Sequence, residues 1–393
     1  MKTGWKCSKS DHNVHQVMGI NINPEKTMKI RHLLLFALCI LMFTSPANAL
    51  SGKGIPEDPY VLKFACYYPD AGPIGHGIHA NTADFIEAQM GGRIKFERYW
   101  SGSLHSLADG FKALRSGLSE FAQAYPFNNT NAFRYTTADG LPWLYKTTAH
   151  AAAAAQEMYP KWYKKEFERQ GLIIGMTPYF GYEVLITKKP IRKLEDLKGL
   201  KIMGHGIHMR NTLTALGATP VFITPPEIFI ALQRGIIDGL CWSAGSTIPW
   251  KYDEVAKYCT VTGMAQAGIF YGMHKPSFNA LPRDVQTDLY RVLQDAALHM
   301  NKLYTDLDAT GFDEMKARGM EVIELSPEEL ARWKKAGQKV WDDYAAQLKD
   351  KGLESDAFLK DLRSVADKYN AMSIPELIEY RKANLVHGLI DGF

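Results

Sequence analysis

From Tyr60 onward the apolar positions switch repeatedly between a period of two and a period near 3.6, the marks of strands and helices. Val61-Leu62-Lys63-Phe64-Ala65-Cys66-Tyr67 is a strand that runs into a loop with Pro69, Gly72, Pro73 and Gly75. A helix carrying Ala80, Ala83, Phe85, Ile86 and Met90 stops at Gly91-Gly92. Residues 94–99 are a second strand, and 106–116 a second helix ending at Gly117. Strand–helix–strand–helix order predicts a largely parallel sheet covered by helices.

The same grammar restarts downstream. Strands are predicted at 184–187 and 200–203, with a short helical turn over 194–197 between them. A helix over 209–216 ends at Gly217, Pro225-Pro226-Glu227 opens another that stops at Gly235, and a strand over 236–240 follows. This makes two α/β units, each with its own sheet. The remainder reads as helix. Val285, Leu289, Val292, Ala296, Met300, Leu303 and Leu307 mark one long helix, and shorter ones cover 327–348, 355–369 and a last one from Pro375. The long helix is placed to brace both units. Ala149 and its neighbours to Ala155 read as helix by propensity.

Composition changes this picture little. A chain of 393 residues, 46% hydrophobic and 22% charged, supports two cores, and a net charge of +4 with interspersed signs excludes a nucleic-acid footprint. The N-terminus changes it more. Met28-Lys29-Ile30-Arg31-His32 is a basic opening, 33–43 an apolar run, and Ala47-Asn48-Ala49 a cleavage site, so a signal peptide starting at Met28 and cut after Ala49 is expected. The apolar run is shorter than the roughly 20 residues that span a bilayer. Export to the periplasm follows. Cys39 lacks the small preceding residue of a lipid anchor. Cys66, Cys241 and Cys259 remain after cleavage; a Cys241–Cys259 disulfide stays open, and three free buried thiols are the preferred reading.

Leu194-Glu195-Asp196-Leu197-Lys198-Gly199-Leu200-Lys201-Ile202, Leu216-Gly217-Ala218-Thr219-Pro220-Val221, and the run from Glu227 through Ala231-Leu232-Gln233-Arg234-Gly235 to Asp238-Gly239 follow one another in a familiar order. Gly91-Gly92-Arg93-Ile94 and Leu114-Arg115-Ser116-Gly117 precede them. These segments resemble the DctP-type solute receptors of TRAP (tripartite ATP-independent periplasmic) transporters, over nearly all of the mature chain. The resemblance implies an α/β fold of the two-lobed, Venus-flytrap kind with a long helix bracing both lobes. Lobe I is expected over 50–180 with a return segment at 265–300, and lobe II over 181–264 with C-terminal helices over 301–393. It also implies an interlobe cleft that captures a small organic ligand, a TRAP permease as membrane partner, no catalysis and no cofactor.

Residues carried over individually depart from the family. The arginine that ends the "KIR" segment is Met203 here, and a second cleft arginine of sialic-acid receptors aligns with Glu183. Tyr67 and Tyr68 end the first strand, Tyr125 is a lobe I ligand position, and Trp242 stands where several members touch ligand. Members that bind 2-oxo acids with a metal carry an acid before that tryptophan; here it is Cys241. Such a cleft favours a cationic or aromatic ligand with Glu183 as counter-charge, unless Arg134 or Arg210 supplies a relocated anion clamp. The pentapeptide Gly-His-Gly-Ile-His occurs twice, at 75–79 and 204–208. His76 and His205 are candidate ligand contacts, and an interlobe zinc site is the rarer alternative. An enzyme is the main rival class, but no Gly-x-Ser-x-Gly, His-Glu-x-x-His or phosphate loop is present. An ABC-type receptor is the other alternative.

Overall fold

A computed structural model describes residues 50–392 apart from 182, 265–267, 389 and 391. The expected signal peptide therefore lies outside the described residues. Ala49–Phe393 forms a single compact unit. Among the described residues the strands, in chain order, are β1 (Tyr60–Ala65), β2 (Ile94–Tyr99), β3 (Phe121–Ala124), β4 (Leu172–Met176), β5 (Glu183–Thr187), β6 (Lys201–Met203), β7 (Thr219–Val221), β8 (Gly239–Ser243), β9 (Tyr258–Val261), β10 (Phe270–His274) and β11 (Glu321–Glu324). Helices that bear on the site are α1 (Asn81–Gln89), α2 (Gly110–Ser116), α3 (Thr148–Met158), α4 (Ile207–Ala215), α5 (Pro225–Gln233), α6 (Arg283–Ala317), α7 (Pro327–Asp350), α8 (Ser355–Asn370) and α9 (Ile374–Ala383).

The strands form two sheets, β2-β1-β3-β10-β4 in lobe I and β11-β9-β5-β8-β6-β7 in lobe II. In β2 the alternation is plain: Ile94 and Phe96 are buried while Lys95 and Glu97 face out. β1 pairs in parallel with β2 and β3, and β6 with β7 and β8. The sheets are nevertheless mixed. β10 runs antiparallel to β3 and β4, and β5 antiparallel to β8 and β9. β5 and β10 are the strands that follow the chain's first crossing into lobe II and its return to lobe I.

The long helix does brace both lobes. Val285, Leu289, Leu293, Ala297, Met300 and Tyr304 of α6 join the lobe I core, and Met315 the lobe II core. α7 is a second brace, with Trp333 in lobe II and Val340, Tyr344 and Leu348 in lobe I. α8 and α9, expected with lobe II, instead join the lobe I core through Phe358, Leu362, Tyr369 and Leu377. The alanines of α3 explain this. Ala151 through Ala155 are all at most 1% exposed, and so small a surface lets both α8 and α6 approach closely.

Where α6 crosses the turn after β8, two glycines meet. A Cβ on Gly311 would lie 2.6 Å from the Cα of Gly245 and 2.9 Å from the Ala244 carbonyl oxygen, so backbone would have to move. Glycine inside a helix costs about 1 kcal/mol relative to alanine, which the close approach offsets. Gly311→Val is expected to lower stability by about 1–3 kcal/mol through overpacking, seen as a lower urea midpoint. An unchanged midpoint would mean that helix and turn separate freely.

Candidate functional site

A cavity of about 610 Å³ opens between the lobes, walled mainly by residues just past the carboxyl ends of strands. Tyr67 and Tyr68 follow β1, Tyr125 and Phe127 follow β3, His205 and Gly206 follow β6, and Phe222 follows β7. Trp242 and Ser243 end β8, and Phe180 and Glu183 stand where the chain crosses into lobe II. Leu107, Arg210, Pro225, Ser246 and Trp250 complete the wall.

The lobe I face is held from behind. The ring of Tyr68 stacks on His79 at 4.8 Å and 15°. His79 is fully buried, its Nδ1 2.6 Å from the Tyr271 hydroxyl on β10 and its Nε2 3.1 Å from the Tyr304 hydroxyl on α6. Burial pushes this imidazole down to about 3, so it is neutral and one tyrosine must donate to it while the other accepts. The Tyr67 N–H donates to the Gln123 side-chain oxygen at 2.9 Å, and Tyr125 stacks on Phe180 at 5.9 Å. On lobe II, Trp242 sits 5.0 Å from His205 and edge-on to Trp250 and Tyr252. The cavity is thus mostly aromatic.

Two ionisable side chains break that surface. Glu183 begins β5 opposite Ser243, is 6% exposed, and is pushed up to about 8 by burial and then by the negative charge of Asp308. Asp308 belongs to α6, and its Oδ1 accepts from the Gly245 N–H at 2.8 Å. At neutral pH Glu183 therefore holds its proton. Arg210 reaches the cavity from the first turns of α4, and among the described residues no acid pairs with its guanidinium. α4 starts at Gly206, whose φ of 62° turns the chain sharply from β6 into the helix. Glycine brings no side-chain cap, so the first-turn N–H groups stay open to an acceptor at the cavity wall. His205 is pushed down to about 4, by burial and then by Arg210, and is a neutral donor.

Seven residues singled out from the sequence meet in this wall: Tyr67, Tyr68, Tyr125, Glu183, His205, Arg210 and Trp242. Two do not. Met203 is fully buried in the lobe II core with Val184, Ile186 and Leu240, because its place in β6 turns it to the inner face. His76 lies on the surface, with Nδ1 2.8 Å from Asp70 Oδ1. Arg134 is outside the wall too, its carbonyl accepting from the Tyr344 and Thr137 hydroxyls. The two pentapeptides do not converge on a metal: among the described residues no three ligating side chains form a group. Cys66, Cys241 and Cys259 are unpaired and buried. Leu107, Phe127, Phe180, Phe222, Ser243, Ser246 and Trp250 escaped the sequence reading. Phe127 and Phe180 follow β3 and β4, strands whose short apolar runs carry no alternation to announce them.

Residues 64–348 match the family model described as bacterial extracellular solute-binding protein, family 7 (DctP). The C4-dicarboxylate-binding periplasmic protein DctP of Rhodobacter capsulatus is 26% identical over 322 residues, 81% of this chain and 95% of the relative. A TRAP solute binding protein from Rhodoferax ferrireducens in complex with copurified benzoate shares the fold with a TM-score of 0.73, at 23% identity over 79% of this chain and 98% of that one. So does a TRAP periplasmic solute binding protein from Bordetella bronchiseptica with bound mandelate, with a TM-score of 0.71 at 21% identity over 79% and 99%.

Proposed function

Because the chain belongs to the DctP family of bacterial extracellular solute-binding proteins, we propose that its interlobe cavity captures a small aromatic carboxylate, held by Arg210, for delivery to a TRAP-type membrane permease. One observation carries the choice of ligand: a guanidinium without an acidic partner among the described residues enters an aromatic cavity beside the open amino end of α4. A carboxylate accepts from both, through two parallel guanidinium bonds and from the helix N–H groups. The rings of Tyr68, Tyr125, Phe180 and Trp242 suit a flat apolar body, such as the benzoate and mandelate found in proteins of this fold. The anion clamp of this chain is then Arg210 in place of the missing arginine at Met203.

Ligand contacts from both lobes stabilise the closed form. The membrane partner then sees a closed receptor, and no chemical step is involved. Residues 28–49 serve as the export signal that brings the chain to the periplasm.

A thermal-shift panel of aromatic monocarboxylates, aliphatic dicarboxylates, sugars and amines tests this on the chain from Leu50. An aromatic acid at about 100 times its dissociation constant should add roughly 2.7 kcal/mol of stability, and mass spectrometry should recover it unchanged. Hits confined to dicarboxylates or sugars would overturn the ligand class; a converted ligand would overturn the receptor.

A further inference from the structure

Arg210 answers one end of a ligand, and among the described residues the second ionisable group of the same cavity has no counterpart. Glu183 is 94% buried by its 6% exposure, yet among the described residues no cation and no donor side chain meets its carboxyl. The groups around it are Asp308 from α6, the Cys241 thiol on β8, and the neutral His205 at the entrance to α4. Asp139 and His208 wall a small adjoining cavity of about 50 Å³ that shares Glu183. None of these is positively charged at neutral pH: burial keeps both imidazoles neutral. Arg210 lies in the same wall without an ion pair to Glu183.

A buried carboxyl with no cation or donor side chain beside it is costly to keep, since burial disfavours its charged form. It is a good receptor for a cation. We propose that Glu183 binds a cationic nitrogen of the ligand, so that the solute is a zwitterion: carboxylate at Arg210, ammonium at Glu183, and an apolar body between the rings of Tyr68 and Trp242. This rests on the carboxylate reading above and refines it. A ligand hydroxyl would gain only an ordinary hydrogen bond from protonated Glu183. An ammonium gains a charge-assisted one and offsets the field of both Glu183 and Asp308. The neighbouring aromatic faces add cation–π attraction. A second carboxylate placed there would face two acids, which separates this cavity from one built for dicarboxylates.

Two matched trios test the assignment by calorimetry: para-aminomethylbenzoate, para-toluate and para-methylbenzylamine, and phenylalanine, hydrocinnamate and phenethylamine. The first trio sets the charges on opposite sides of the ring and the second sets them together. In the wild type one zwitterion should bind at least about ten-fold tighter than its parent acid, the range of a charge-assisted bond. In Glu183→Gln, which preserves the shape of the side chain, that ratio should fall towards one. Binding also carries a proton signature: near pH 6.5 the zwitterion should release about one proton, read from buffers of different ionisation enthalpy, and the parent acid none. Parent acids binding as tightly as both zwitterions, or no proton release, would overturn the ammonium assignment and leave the carboxylate reading intact. Amines binding without any need for the carboxylate would instead overturn the role of Arg210. Silence from all six compounds would overturn both.

Discussion

Glu183→Gln is expected to make the ligand-free protein more stable, by roughly 3 kcal/mol at pH 7, although it alters a side chain in the binding cavity. The carboxyl is raised from 4.5 in the unfolded chain to about 8 in the fold, by burial first and by Asp308 second. Below pH 4.5 both states hold the proton and the residue contributes nothing to the difference. Between pH 4.5 and 8 the unfolded chain releases the proton and the folded one keeps it, so stability is lost as pH rises. Above 8 the loss is complete. Glutamine has no proton to lose, so wild type and variant should have equal denaturation midpoints near pH 4 and diverge up to pH 8, the variant being the more stable. Equal midpoints at pH 8 would mean that Glu183 is already ionised and compensated in the empty protein.

The direction of that effect ties stability to function. A protein selected for stability alone would replace Glu183, because neutral side chains of that size cost less to bury. Its presence makes sense when the ligand supplies the missing charge: the folded, occupied receptor gains what the folded, empty one lacks.

Sequence periodicity placed most elements well and was less able to say what covers them. The predicted helices over 327–348 and 355–369 correspond to Pro327–Asp350 and Ser355–Asn370. Their apolar stripes, however, are silent about the partner, and the alanines of α3, with the rings of Tyr135, Trp162 and Tyr163 around Phe358, bring α8 onto lobe I. β8 starts three residues later than its apolar run suggests. Asp238 spends the intervening residues on a turn, with its side chain accepting from the Lys201 N–H at 2.8 Å, its own N–H donating to the Lys201 carbonyl at 2.8 Å and its carbonyl accepting from the Lys188 N–H at 3.1 Å. Ile236 is left 54% exposed in consequence. The aromatic character of the cleft was legible because Tyr67, Tyr68, Tyr125 and Trp242 stand at strand ends, where α/β proteins bind ligands. Losing the arginine at Met203 was legible too. Which arginine replaces it was not, since Arg134 and Arg210 differ only in tertiary placement.

Arg210→Met is expected to weaken carboxylate binding by about 2–5 kcal/mol, or roughly 30-fold to several thousand-fold in dissociation constant. Methionine is a strong helix former of similar length, so α4 should persist and the loss should be one of affinity rather than fold. The cost has two parts. The ligand carboxylate loses its paired hydrogen bonds, and it remains in an aromatic cavity where an uncompensated anion is poorly solvated. Arg210→Lys separates these parts. It keeps the charge and loses the planar fork, so its affinity should fall between those of wild type and methionine. The change also reaches His205, which Arg210 helps to keep neutral; in the methionine variant its proton affinity rises, although burial, the larger cause, persists. Titration calorimetry on all three proteins with the tightest acid of the panel decides the matter. A loss of less than about two-fold in Arg210→Met would move the anion from the guanidinium to the N–H groups at the start of α4, and the ligand would then be held by backbone and rings alone.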